Sequence, residues 1–137
     1  MGMISLESLG YYSTLPGSQH YPLPLRLLYP GQGGFVAFVA NPASRRLLHA
    51  ALGAFRGSAA FPSEGAVLPA AVPGAAWSDH WGFWEQGYQA IMLTDTAPFR
   101  NPHYHTADDT PDKLDFDRLT LLTSGLSRMA AELAGAG

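Results

Sequence analysis

The sequence predicts an α/β domain in which helices flank a partial mixed β-sheet. Two observations support this fold class: short apolar runs rich in β-branched and aromatic residues, and segments whose apolar residues recur at helical spacing. They follow one another as strand, strand, helix, short helix, strand and helix, an order typical of an α/β layered domain. With 137 residues, 47% of them hydrophobic, the chain is expected to form a single domain, residues 1–137, with its own core.

Three apolar segments are predicted to be buried strands. The first, residues 3–12, ends at the turn-prone sequence STLPGS. The second, residues 35–40, reads FVAFVA and carries the strongest strand signal, because β-branched and aromatic side chains suit a pleated sheet. The third, residues 90–94, reads AIMLT and is equally apolar. A loop punctuated by proline and glycine separates the first strand from the second.

Three helices are predicted around these strands. The first begins after Ser44, a residue type that suits an N-cap, and its leucines and alanines recur at helical spacing. The second is the short segment DHWGFWEQ, with Ser78 as its cap. The third covers residues 116–134, where Asp115 is the expected cap and leucines and a methionine form one apolar stripe.

The segment between the first two helices, residues 57–76, is rich in alanine, glycine and proline. It is either a flexible linker between domains or one long loop over a functional face. We favour the loop, because too little chain flanks this segment on either side to build two domains.

Composition excludes several classes of function. A net charge of −3 without a basic cluster argues against a nucleic-acid partner. The absence of cysteine excludes disulfides and thiolate metal sites but does not fix the compartment, so localisation stays unknown.

No apolar run reaches the roughly 18 residues of a membrane span, and the N-terminal sequence MGMISLESLGYYS does not resemble a signal peptide. We therefore expect a soluble protein with no membrane partner, and a fragment of something larger because it begins almost within a strand.

Two common catalytic signatures do not fit. The sequence has no G-x-S-x-G nucleophile elbow, and the glycine-rich GQGG at residues 31–34 precedes a strand instead of opening a helix, so it is interpreted as a turn. Ser78, Asp79 and His80 are the residue types of a catalytic triad, but three neighbours in sequence rarely converge as one.

Ionisable side chains collect at and beyond the predicted strand ends, where ligands usually bind in α/β sheets. The stretch FRNPHYHTADDT, residues 99–110, holds two histidines and two aspartates between the third strand and the last helix. Aspartates also start turns, and an H-x-H pattern is a modest metal signal by itself, so a functional site and a solvated loop both remain open. The whole cluster comprises Glu7, Asp79, His80, Asp95, Arg100, His103, Tyr104, His105, Asp108 and Asp109.

Three blocks carry a resemblance to a known family. They are SLESLGYYS, GGFVAFVAN and SDHWGFWEQGYQAIMLTDTAPFRNPHYHTADDTPDKLDFDRL, in that order along the chain. Together they resemble the C-terminal half of the di-zinc exopeptidases, which include bacterial leucyl aminopeptidases, glutamate carboxypeptidases and, more distantly, glutaminyl cyclases. The resemblance spans nearly the whole chain. It implies a three-layer sandwich of a mixed sheet between helices, of which this chain would hold about half, and a zinc-dependent peptidase function.

The resemblance also implies roles for individual residues. His105 matches the final zinc-binding histidine, and Glu7 matches an acidic zinc ligand at a strand end, although relatives have methionine where this chain has Ser8. Asp109 matches a supporting position behind the histidine, and His103 is interpreted as solvated. The residues that match the substrate side of the pocket are Arg100, Tyr104, Asp79 and His80.

As the resemblance implies it, the family's mechanism uses two zinc ions and a glutamate general base, supplied by H-x-D and Glu-Glu motifs. Neither motif is present: none of the five histidines is followed two positions later by aspartate, and no two glutamates are adjacent. In the family, the residues matching Glu7 and His105 bind different zinc ions, whereas a catalytic zinc ordinarily needs about three protein ligands. We therefore expect the isolated chain to bind zinc weakly or not at all, to contain no catalytic residue, and to be inactive alone.

Three accounts remain open. The chain is the C-terminal piece of an enzyme completed by a separate N-terminal half, an inactive fragment, or a non-catalytic module. Such a module would bind peptide ends through Arg100, Tyr104 and the aromatic Trp81, Phe83 and Trp84, but we favour a core role for these three aromatics. A partial sheet also leaves a strand edge open, so we expect a homo-oligomer or pairing with a complementing half.

Overall fold

The computed structural model describes residues 2–23 and 25–135 and confirms the predicted α/β fold with a mixed sheet. Within these residues, four strands form one sheet in the order β1-β4-β2-β3. The β1–β4 and β2–β3 pairs are parallel, and the central β2–β4 pair is antiparallel. The strands are β1 Met3–Glu7, β2 Val36–Ala40, β3 Ser63–Val67 and β4 Ala90–Thr94, and the α-helices are α1 Arg45–Ser58, α2 His80–Glu85 and α3 Phe116–Leu133.

The strand β3 lies inside the segment that we predicted to be a loop, so that prediction was wrong. Its sequence, SEGAV, has little intrinsic preference for a strand. It pairs in parallel with β2, with Phe38 opposite Gly65. A Cβ atom at Gly65 would lie 2.8 Å from Cδ2 of Leu52, so the bare glycine lets helix α1 pack closely on this strand. Tertiary pairing therefore produced a strand that local sequence does not indicate.

The predicted caps have mixed outcomes. Asp115 caps α3 as predicted, with Oδ1 accepting a backbone N–H from the first turn at 2.9 Å. Ser44 precedes α1, but its hydroxyl accepts the N–H of Ala90 at 3.1 Å instead of capping the helix. The hydroxyl of Ser78 likewise lies 2.8 Å from that of Ser5 on β1. Both serines therefore attach the start of a helix to the sheet.

The two faces of the sheet are packed differently. The face that carries Val36, Phe38 and Leu93 is covered by α1 and α3 and forms the main core. The opposite face, which carries Ala37 and Met92, packs against loop residues and forms a smaller cluster. Because both faces of β2 and β4 are buried, their sequences are apolar without alternation. Among the described residues, no helix has the length and apolar character that crossing a bilayer requires.

Gly125 of α3 lies in close contact with the C-terminal end of α1. A Cβ atom at this position would lie 2.6 Å from the Cβ of Ala59 and 2.8 Å from Cε2 of Phe55. The helical Gly53 of α1, in contrast, has open space around its Cα. The two glycines therefore provide a matched pair for testing this contact.

We expect Gly125→Ala to lower the free energy of unfolding by about 1–3 kcal/mol, because an added methyl overpacks the interface between α1 and α3. Gly53→Ala should raise it by about 0.5–1 kcal/mol through helix propensity alone. Urea denaturation of both variants measures the difference. Equal effects of the two substitutions would show that the helices do not pack as described.

Candidate metal and substrate site

The candidate site lies at the edge of the sheet where the parallel strands β1 and β4 both end. Glu7 is the last residue of β1 and pairs with Thr94, the last residue of β4. The segments that follow the two strands are joined directly, since the N–H of Asp95 donates to the carbonyl of Ser8 at 2.7 Å. Glu7 and the loop that carries the histidines of residues 99–110 therefore leave the sheet side by side.

Asp95 holds the two segments together. Its carboxylate is only 2% exposed, and it accepts the backbone N–H of Tyr11 at 2.8 Å and that of Ala97 at 2.9 Å. Burial raises the pKa of Asp95 to about 6, although these hydrogen bonds and the nearby Arg100 act in the opposite direction. Asp95 belongs to the polar cluster at the predicted strand ends, and no role was predicted for it. Its only sequence signal is an aspartate directly after a buried strand.

Backbone strain is concentrated at this edge. In the part of the chain that the structure describes, the non-glycine residues with positive φ are Ser8 at 48°, Thr96 at 69° and His105 at 59°. Ser8 directly follows Glu7, the last residue of β1. Thr96 directly follows Asp95, the buried residue after β4. The left-handed conformation is costly for residues with a Cβ, and such residues cluster at functional sites. The backbone therefore marks the same region as the ionisable side chains do.

Tyr104 packs against His105, one of the two predicted zinc ligands. Its ring is stacked on that of the exposed His105, with centroids 3.9 Å apart and planes 16° from parallel. The pKa of Tyr104 is raised by burial and then by the carboxylates of Glu7, Asp95 and Asp109. The charge of Glu7 therefore acts on Tyr104, the residue whose ring stacks on His105.

Asp109 is exposed and contacts Asn101, whose Nδ2 donates to Asp109 Oδ1 at 3.2 Å. The same Asn101 accepts the N–H of His103 through Oδ1 at 2.9 Å. These contacts stabilise the turn on which His105 lies. The role of Asp109 behind a zinc-bound histidine stays a prediction.

Arg100 is 5% exposed and is engaged inside the protein. Its Nε donates to Gln19 Oε1 at 2.8 Å, and its Nη1 donates to the carbonyl of Phe35 at 2.8 Å. The guanidinium also lies over the Phe35 ring, 4.6 Å from its centroid. The predicted substrate-side role of Arg100 stays a prediction, and its contacts tie this loop to Phe35, the residue directly before β2.

His80 and Asp79 lie at the start of α2. The imidazole of His80 is fully buried, with Nε2 2.8 Å from the carbonyl of Ala75, and burial lowers its pKa, which favours the neutral ring. Asp79 is exposed. Their substrate-binding roles stay predictions.

Of the three aromatics assigned to the core, Trp84 is buried, but Trp81 and Phe83 are 39% and 42% exposed, so the core assignment was wrong for those two.

A cavity that no sequence signal indicated opens on the less covered face of the sheet. It encloses about 810 Å³, including the solvent at its mouth. One row of paired residues crosses its floor from strand to strand: Glu7 on β1, Thr94 on β4, Ala37 on β2 and Glu64 on β3. Residues paired across strands point to the same face. Glu7 and Tyr104 thus lie at one end of the cavity, and Glu64 lies at the other.

Comparison with known proteins identifies the family of this chain. Residues 32–130 match the model of peptidase family M28. The chain belongs to this family. Membership confirms the resemblance on which the residue assignments depend, and it identifies a metallopeptidase-like hydrolase scaffold.

Individual relatives of this M28 chain cover different lengths. The uncharacterized protein YfbL of Escherichia coli (strain K12) is 37% identical over 125 residues, which are 90% of this chain and 39% of YfbL. A probable leucine aminopeptidase of Arthroderma otae is 50% identical over 48 residues, or 34% of this chain and 13% of that protein. One of Arthroderma benhamiae is 47% identical over 47 residues, with the same coverage. The chain spans about two-fifths of the length of YfbL and less of the others.

The M28 family is generally zinc-dependent, and a zinc site requires several histidine, aspartate, glutamate or cysteine side chains close together. Among residues 2–23 and 25–135, no three side chains of histidine, aspartate, glutamate or cysteine are grouped so that they could hold a metal ion. A catalytic zinc needs about three protein ligands. The residues present therefore do not make a complete zinc centre.

The pKa of Asp95 provides a test of its burial. Because the pKa is raised from 3.8 to about 6 on folding, Asp95 contributes most to stability when protonated, and this contribution is lost as the pH rises through about 6. The stability of the wild type minus that of Asp95→Asn should therefore fall between pH 4 and 7, by up to about 3 kcal/mol. Urea denaturation across this pH range measures it.

The control is Glu132→Gln, which changes an exposed carboxylate on α3. Its stability difference from the wild type should stay nearly constant over the same range. A difference for Asp95→Asn that rises with pH would contradict the assigned direction of the shift.

Proposed function

We propose that this chain supplies one wall of a zinc-dependent aminopeptidase site and is inactive until other residues complete it. The observation that carries the proposal is that Glu7 and Tyr104 line the same cavity, and that the ring of Tyr104 stacks on His105. In this proposal Glu7 and His105 each contribute one ligand to a zinc centre. A second polypeptide segment with H-x-D and Glu-Glu motifs supplies the remaining ligands and the general base.

The sheet supports completion by another chain. Within the described residues, β1 and β3 are each paired with one other strand only, although side chains already donate to two carbonyls of β3, Arg56 to Ser63 and Tyr29 to Gly65. Leu6 on β1 is also 60% exposed, which leaves apolar surface beside one of these edges. Pairing with a complementing half, or with a second copy of this chain, would cover it. We propose the complementing half as the functional partner.

The proposed substrate is a peptide with a free amino end. The cavity next to Glu7 is lined largely by apolar side chains, including Met92, Phe99 and Trp77, and it is large enough for an amino-acid side chain. A terminal residue placed in it would bring its peptide bond to the sheet edge where Glu7 and His105 lie. The similarity to probable leucine aminopeptidases agrees with this direction of cleavage.

A second candidate function is a module that binds peptide ends without cleaving them. It is favoured by one observation: the cavity is formed by this chain alone, whereas a group of metal ligands is not found among the residues described. In this case a peptide would bind, and neither zinc nor a complementing half would be required.

The test combines zinc binding with hydrolysis. By calorimetry, the isolated chain should bind zinc weakly or not at all, and it should not hydrolyse leucine p-nitroanilide. We expect a mixture of this chain with the part of YfbL outside the matched region to bind zinc and to hydrolyse leucine p-nitroanilide. His105→Ala or Glu7→Gln should then reduce both at least about 100-fold, since losing even outer-shell partners costs 10–100-fold.

His103→Ala is the matched control, because it removes a neighbouring histidine that has no proposed role and should leave activity unchanged. A submicromolar one-to-one zinc site in the isolated chain would contradict the proposed incompleteness. Peptide binding that persists in a complex without zinc or turnover would favour the non-catalytic module.

A further inference from the structure

The end of the cavity opposite Glu7 is lined by Glu64, Tyr21 and Tyr29, which have no part in the proposed peptidase role. Glu64 lies on the edge strand β3, paired with Ala37, and its side chain faces the cavity. Adjacent strands are about 4.8 Å apart, so the three steps from Glu7 to Glu64 separate their backbones by about 14 Å. The floor between them carries the small side chains of Thr94 and Ala37. The cavity is therefore a trough with a carboxylate at each end.

Two tyrosines accompany Glu64 at this end. The rings of Tyr21 and Tyr29 lie 6.0 Å apart, and the hydroxyl of Tyr29 donates to the carbonyl of Gly65 at 3.1 Å. The hydroxyl of Tyr21 is buried and has no hydrogen-bond partner among the residues that the structure describes. A buried hydroxyl without a partner is costly, so a ligand group that donates to it would be stabilised.

The electrostatics favour a positive group here. Burial chiefly raises the pKa values of Tyr21 and Tyr29. At Tyr21 the charge of Arg100 acts in the opposite direction, while the carboxylate of Glu64 raises both pKa values further, so both hydroxyls stay neutral and can accept hydrogen bonds. The described residues that line the cavity include Glu7 and Glu64 but no lysine, arginine or histidine. The nearby cation, Arg100, lies against the Phe35 ring and close to the carboxylate of Asp95.

We propose that Glu64, with the hydroxyls of Tyr21 and Tyr29, selects peptides whose terminal side chain has an apolar stem and a cationic end, namely lysine or arginine. The stem lies along the apolar floor, and the charged group binds at Glu64. This assignment rests on the proposed function for the use of the cavity as a substrate pocket. The ion pair it requires is partly buried and contributes more than an exposed pair would.

The experiment compares two ligands that differ only in the terminal ammonium group of the side chain. L-Lysinamide and L-norleucinamide share an α-ammonium, an amide and an apolar stem, so attraction of the α-ammonium to Glu7 cancels in the comparison. We expect calorimetry on the chain without zinc to show lysinamide binding at least about tenfold more tightly. Glu64→Gln should bring the two affinities within about twofold of each other, and Glu132→Gln should leave the preference unchanged.

Tyr21→Phe provides a second variant that keeps the ring and removes only the unpartnered hydroxyl. It should weaken lysinamide binding severalfold and leave norleucinamide binding unchanged. Circular dichroism establishes that each variant is folded. Equal binding of the two ligands, no detectable binding of either, or a lysinamide preference that persists in Glu64→Gln would each overturn the proposal.

These measurements involve neither zinc nor turnover, so they separate the two proposals. If the chain prefers lysinamide but no complemented enzyme forms, the selectivity of the cavity stands and the peptidase role fails. If complementation produces an aminopeptidase that cleaves leucine and lysine derivatives equally, the peptidase role stands and the role of Glu64 fails.

Discussion

The carboxylate of Asp95 accepts backbone hydrogen bonds from Tyr11 and Ala97, and the Asp95 N–H donates to Ser8. Through these bonds one buried side chain joins the segment after β1 to the segment after β4. The candidate site depends on this junction, since Glu7 precedes the first segment and the Tyr104–His105 pair follows on the second. The bonds also hold Ser8 and Thr96 in left-handed conformations, which a free loop would avoid. Burying a carboxylate whose pKa is thereby raised is costly, and its backbone partners offset part of that cost.

The two faces of the sheet differ in how they are covered, since helices pack on one face and loops on the other. The face under α1 and α3 is closely packed, and the contact at Gly125 leaves no room for a methyl group. The other face carries loops, and the cavity lies between these loops and the strands. A ligand pocket can form there because β2 and β4 already obtain their main core from the helices. In the described part of the chain, β1 and β3 form the two edges of the sheet.

Several features were predictable because their causes are local. The strands β2 and β4 consist of consecutive apolar residues, and α3 has both an apolar stripe and the capping residue Asp115. The strand β3 was missed because SEGAV carries no local strand signal and becomes a strand only through pairing with β2. The outward position of Trp81 and Phe83 was missed for a related reason, since aromatic residues in a short helix do not reveal which side is packed.

The sequence by itself determined the family and the α/β class, because motifs and hydrophobic patterns consist of residues that are close together along the chain. Only the tertiary structure decided which groups meet. It stacked Tyr104 on His105, buried Arg100 against Phe35, and aligned Glu7 with Glu64 across four strands. Residues 57 positions apart become two ends of one cavity through strand register, a property of pairing between distant segments that no local pattern encodes.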